Sequence, residues 1–248
     1  VTAFSATLSP AHWCRPALGF GEQAVCARQA SPFVAEQLQV YLATHVDTRY
    51  HQREASLTAL AGLLRDWLAQ EPGNCLVYFP SYRYLEDALR ELGEIGGDRH
   101  CWIQERGADR DAQYQLLDLL RERRDVVAFC ILGGIFGEGV DLPGDQLASV
   151  IVVGVGLPQV NRDTRRLRDW YQARGNDGFA LAYLYPGMQK VDQALGRVVR
   201  RLEDRGRALL VDSRYRQREY RELLPPWWQY RDWGEWTGDG AGEHSGEG

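Results

Sequence analysis

Four short, nearly uninterrupted apolar runs constrain this chain more than any other feature: Cys75-Leu-Val-Tyr-Phe-Pro80, Val126-Val-Ala-Phe-Cys-Ile-Leu132, Leu147 to Val155, and Ala208-Leu-Leu-Val-Asp212. Each is too short for a buried helix and is closed by a turn residue, the pattern of a strand covered on both sides. Leu38 to Ala43 alternates and reads as a further strand, and Cys101-Trp-Ile-Gln104 as a shorter one. Helical stretches separate them. Gln52 to Gln70 places Leu57, Leu60, Leu64, Trp67 and Leu68 on one face, with Thr48 or a residue near it as the expected cap; Tyr84–Leu92, Asp111–Arg124 and Asn161–Ala173 follow. Four to five short apolar strands alternating with helices predict an α/β fold, a mostly parallel sheet with helices on both faces. At 248 residues and 44% hydrophobic content the chain can bury one large core or two small ones.

Composition narrows the functional classes. The formal charge of −5 argues against a polybasic nucleic-acid binder. No apolar run is long enough to span a membrane, so no membrane partner is expected. The five cysteines, Cys14, Cys26, Cys75, Cys101 and Cys130, are odd in number and never spaced C-x-x-C. They suggest reduced thiols and a cytoplasmic setting. No histidine pair has metal-ligand spacing, and no metal site is expected. Lys190 is the only lysine, and Val191 follows it, so the chain carries no G-x-x-x-x-G-K-[ST] phosphate loop. It has no D-E-x-H or D-E-x-D box for Mg²⁺ either. The chain opens on Val1 rather than Met, which suggests that it begins inside a longer protein.

Against these absences stands Gln193-Ala-Leu-Gly-Arg197-Val-Val-Arg200-Arg-Leu-Glu-Asp204-Arg-Gly206. If this stretch is helical, Gln193, Gly196 with Arg197, and Arg200 share a face. That face would offer a close approach, an amide and two guanidinium forks suited to phosphate. The plain alternative is a solvated basic helix. Leu147–Val155 is preceded by Gly133-Gly134-Ile-Phe136-Gly-Glu138-Gly139-Val-Asp141-Leu-Pro-Gly144-Asp145, a glycine-rich loop with acids. Phe79-Pro-Ser81-Tyr82 follows an apolar strand and precedes a helix, where a hydroxyl and free amides suit a phosphate or simply cap the helix. Ser5-Ala-Thr7-Leu8 lies ahead of them all.

Q-x-x-G-R-x-x-R resembles motif VI of superfamily 2 helicases, in the version of the XPD/DinG group. The glycine-rich loop is similar to motif V, Phe79–Tyr82 to motif IV, and Ser5–Leu8 to motif III. Ile135 stands where the family often has a serine or threonine. The resemblance spans about Phe4 to Arg216 and implies a RecA-like second motor domain of P-loop NTPase type. It implies that Arg197 and Arg200 reach ATP, with Gln193, Gly196, Glu138, Gly139 and Asp141 at the nucleotide. Ser81, Tyr82 and Gly134 are implied at single-stranded DNA, and Ser5 and Thr7 in coupling. ATP and Mg²⁺ would be bound mainly by an N-terminal motor domain of the same polypeptide. Translocation is implied 5′ to 3′, and this chain alone is expected to be inactive. An iron–sulfur cluster, where relatives carry one, belongs to that first half and not to these cysteines. A nucleic-acid-binding or regulatory module uncoupled from ATP, or an RNA-directed motor, stays open as an alternative.

The expected organisation is 1–30 for the end of the first motor domain and a linker, 31–224 for the second motor domain, 225–237 for an aromatic segment, and 238–248 for a disordered acidic tail. Arg162, Arg165, Arg166, Arg168 and Arg174 form a basic run, read as a solvated face or the flank of a DNA channel. Trp227, Trp228, Trp233 and Trp236 suit base stacking or, preferentially, packing of the chain end.

Overall fold

The computed structural model describes residues 2–4, 10–21, 23–27, 29–95, 98–137, 142 and 144–239. Its centre is one sheet of seven strands: β1 (Leu38–Ala43), β2 (Cys75–Phe79), β3 (His100–Ile103), β4 (Val126–Ile131), β5 (Ser149–Val153), β6 (Gly206–Val211) and β7 (Gln229–Asp232). They lie in the order β3-β4-β2-β5-β6-β1-β7, and every pairing is parallel. The helices are α1 (Ala11–Ala17), α2 (Arg53–Gln70), α3 (Tyr82–Leu92), α4 (Arg110–Glu122), α5 (Arg162–Gln172), α6 (Tyr185–Leu195), α7 (Arg218–Arg221) and α8 (Trp233–Asp239).

Alternation along the buried strands builds two cores. On β2, Leu76 and Tyr78 face a core shared with α4 and α6, while Cys75, Val77 and Phe79 face one shared with α2, α3 and α8. A strand buried on both faces must be apolar throughout, which is why these runs are conspicuous in the sequence. Neighbours β2 and β5 send their following connections to opposite sides of the sheet. In open parallel sheets such a switch point marks a ligand-binding crevice at the carboxyl ends of the strands.

Three expectations change. The aromatic chain end contributes a seventh strand: β7 pairs with β1 from Gln39↔Gln229 to Leu42↔Asp232. Trp236 then stacks on Trp67 at 5.3 Å and on Trp233 at 4.4 Å, and its Nε1 donates to Glu71 at 3.0 Å. Thr48 does not cap α2. A 3₁₀ turn, Tyr50–Gln52, precedes that helix, and the Thr48 hydroxyl donates instead to the buried Asp212 carboxylate. The third change is at Gln193–Arg200. Helix α6 ends at Leu195 with Gly196 as its C-cap, and residues 196–205 form a turn. The shared helical face therefore does not exist.

Other local features follow their residues. Ser81 caps α3, accepting the Tyr84 N–H at 3.4 Å, and Asn161 caps α5 in a reciprocal box with Thr164. At the start of β6 only glycine fits, because a Cβ on Gly206 would run into Val198 and the Ala148 carbonyl. Among the described residues no helix is long and apolar enough to cross a membrane.

Candidate functional site

The turn 196–205 ends its helix because side chains replace the helical hydrogen bonds it gives up. Asp204, nearly buried, accepts the backbone N–H groups of Arg200 and Arg201 through Oδ2, each at 2.8 Å. Gln37, ahead of β1, brings its Nε2 to the carbonyls of Arg201 (3.3 Å), Leu202 (2.9 Å) and Asp204 (3.2 Å). The arginine-bearing segment is thus fixed from both its amide and its carbonyl side.

Its two arginines face differently. Arg197 is 4% exposed, whereas Arg200 is open to solvent. The Arg197 guanidinium lies against the phenol of Tyr78, whose hydroxyl donates to the Phe136 carbonyl at 2.9 Å. Burial raises the Tyr78 pKa, and Arg197 opposes part of that rise. Tyr78 therefore joins three segments: strand β2, the loop after β4, and the arginine turn. Phe136 is itself buried against Trp102 at 5.0 Å. Gln193 is exposed on the last turn of α6, and Gly196 is half-buried at its end.

In the loop after β4, Gly133 has positive φ (77°) and packs beneath the aliphatic chain of Lys190. The Gly134 N–H donates to the Ile131 carbonyl at 3.2 Å. Glu138, Gly139 and Asp141 lie outside the described residues, as do Ser5 and Thr7.

At the carboxyl ends of β1, β2 and β6 a second cluster forms. Asp212, fully buried, is gripped by Arg214 through two bonds of 2.8 Å and also accepts the Arg214 N–H at 2.8 Å. Burial opposes the charge on Arg214, but Asp212 outweighs it and raises the pKa. Arg53 donates to the Thr48 carbonyl at 3.0 Å, approaches the Ser81 hydroxyl at 3.5 Å and stacks over Tyr84 at 4.7 Å. Burial lowers its pKa. Tyr82 is half-exposed; its hydroxyl donates to the Glu105 carbonyl at 3.2 Å and accepts from Gln104 at 2.9 Å.

Sequence reasoning singled out Arg197, Arg200 and Ser81 but missed Tyr78, Gln37, Asp204's grip on the arginine amides, and Arg53. Tyr78 left one signal, because a tyrosine inside an otherwise apolar run needs a hydroxyl partner once buried. Gln37 left none. The two acids expected at the nucleotide lie outside the described residues, so of the residues expected there the arginine turn is the segment whose geometry is described. Its guanidinium groups fit phosphate oxygens. Cys75 and Cys130 are buried in strands, and burial raises both thiols, Cys75 to about 11.

Residues 64–231 match the family described as Helicase C-terminal domain. Among curated proteins the chain is similar to the regulator of telomere elongation helicase 1 homolog of Anopheles gambiae, 27% identical over 176 residues, covering 63% of this chain and 17% of that protein. It is also similar to the general transcription and DNA repair factor IIH helicase subunit XPD of Schizosaccharomyces pombe, 29% identical over 171 residues, covering 64% and 22%. A solved XPD helicase superposes with a TM-score of 0.71 at 18% identity, over 92% of this chain and 42% of that one. The chain thus spans 17% and 22% of the two curated relatives' lengths.

Proposed function

The chain belongs to the helicase C-terminal domain family, in its XPD/DinG-type branch, and from that membership we propose that it works as the second motor domain of an ATP-dependent DNA helicase. A partner motor domain holds most of the nucleotide, and ATP with its Mg²⁺ supplies the phosphoryl group whose transfer drives movement. This chain's residues provide arginines to that phosphate and a grip on single-stranded DNA, stepping 5′ to 3′. Arg200 is the exposed member of the pair, and Arg197 is buried against Tyr78. Ser81 and the α3 N-terminus offer a hydroxyl and amides to a DNA phosphate.

The observation that supports this reading most is the fixing of the arginine turn. Electrostatic stabilisation of a transition state works best when the charges need no reorganisation, and Asp204, Gln37 and Tyr78 hold this turn in place before any ligand arrives. A solvated basic helix would show none of these anchors. The Tyr78–Phe136 bond also links the arginine turn to the loop after β4.

The test is Arg197→Ala in the polypeptide that carries both motor domains. DNA-stimulated ATP hydrolysis is expected to fall by about 10³ or more, with nucleotide binding retained. Arg197→Lys should restore little, because an ammonium lacks the planar fork. Near-normal turnover in Arg197→Ala overturns the assignment.

A further inference from the structure

Helix α5 is unlike every other long helix of the domain, because none of its residues is buried. Residues spaced by four along it, Arg162, Arg166, Trp170 and then Arg174 just beyond its end, make one continuous stripe. Among the described residues none of Arg162, Arg165 and Arg166 forms an ion pair. Of the acids nearby, Asp169 pairs with Arg168 at 2.6 Å and Asp177 caps the following turn through the Ala180 N–H at 2.9 Å, which leaves Asp163 in the first turn as the one negative charge beside the stripe, against three arginines. Trp170 is 50% exposed, lies 5.0 Å from Tyr171, and carries the Arg174 guanidinium over its ring at 3.7 Å. Beside this stripe a groove of about 740 Å³ runs between α5, Ala17 of α1, and Leu181 and Tyr185.

An unburied helix that exposes Trp beside unpaired Arg is a local basic and aromatic face on a chain whose net charge is −5. Its chemistry complements a flexible polyanion with flat faces, in which arginines take phosphates and indole takes bases. Its position agrees. The segment leading into α5 leaves the carboxyl end of β5, next to β2, whose own carboxyl end carries Ser81. We propose that the stripe Arg162–Arg166–Trp170, with Arg165 beside it, is a binding site for single-stranded nucleic acid, in which a base displaces Arg174 from the Trp170 ring. The choice of partner class rests on the helicase reading; the site itself rests on the exposure, charge and stacking geometry of α5.

A short oligothymidylate titrated into the 248-residue chain at several salt concentrations tests it. Replacing Arg162, Arg165 and Arg166 together by Ala should flatten the dependence of log affinity on log salt by about 2, at about 0.7 for each phosphate no longer neutralised. Trp170→Ala should weaken binding about tenfold or more, and Trp170→Phe should restore most of it. Unchanged affinity and slope in these variants sink the α5 site while leaving the helicase reading intact. Absence of any binding by the unaltered chain sinks it too, and Arg197→Ala then decides the helicase reading separately. Displacement of the oligonucleotide by an oligoglutamate peptide at comparable concentration would overturn the proposal in favour of an acidic protein partner.

Discussion

Two arginine-rich segments lie some thirty residues apart, and the fold treats them in opposite ways. The turn 196–205 is held through five polar atoms of its backbone, two amides by Asp204 from within and three carbonyls by Gln37 from another part of the chain, and one of its arginines is buried. Helix α5 is capped at its start but sends nothing into the core. Arginine content therefore says little about role; anchoring says more. A group that must meet developing charge gains from being fixed beforehand. A group that follows a flexible strand gains from freedom to adjust, and pays for it only in solvent exposure.

The sharpest way to break this contrast is to loosen the fixed segment. Asp204→Ala leaves the amides of Arg200 and Arg201 without their carboxylate acceptor, and about 3 kcal/mol of stability should be lost for the two charge-assisted bonds. Thermal unfolding should show a drop of roughly 6–12 °C. An unchanged melting temperature would mean that the turn is not held as described.

A smaller effect of opposite sign is expected one turn earlier. Asp192 on α6 has a buried Oδ1 with no hydrogen-bond partner, and burial raises its pKa well above the ordinary carboxylate value. A carboxyl with a raised folded-state pKa favours the folded state fully only below its unfolded value. Stability is then lost as pH rises from there through the folded value. Asp192→Asn removes that dependence. It should stabilise the domain by about 1–2 kcal/mol at neutral to alkaline pH, with the advantage shrinking as the solution is acidified. Melting curves of both proteins across pH check this, and a gap that widens on acidification would contradict it.

The smallest effect belongs to α5. Alanine at Arg162, Arg165 and Arg166 together should change stability by no more than about 0.5 kcal/mol, even though it weakens nucleic-acid binding. A marked loss of stability would show that α5 is anchored after all and would erase the contrast.

How much of this was legible in the sequence depended on whether the signal was local. The strands β2, β4, β5 and β6 could be read because burial on both faces demands unbroken apolar residues. β7, Gln-Tyr-Arg-Asp, could not, since an edge strand half in solvent needs no such run and its partner β1 is almost two hundred residues away. Arg197 and Arg200 stood out by spacing, yet their opposite exposures did not. Those follow from Gln37 and Tyr78, which are remote in sequence and ordinary in type.

The pairing of β7 with β1 carries one more consequence. A domain limit drawn after Leu224, where the motifs have run out, would remove the strand that covers the outer side of Leu38-Gln-Val-Tyr-Leu-Ala43. That strand would then present a row of bare amides and carbonyls, a template for the same strand of another molecule, while the indole of Trp67 lost the ring stacked against it. A fragment cut there would fail by sticking to copies of itself, and a failure of that kind is easily mistaken for an inactive enzyme.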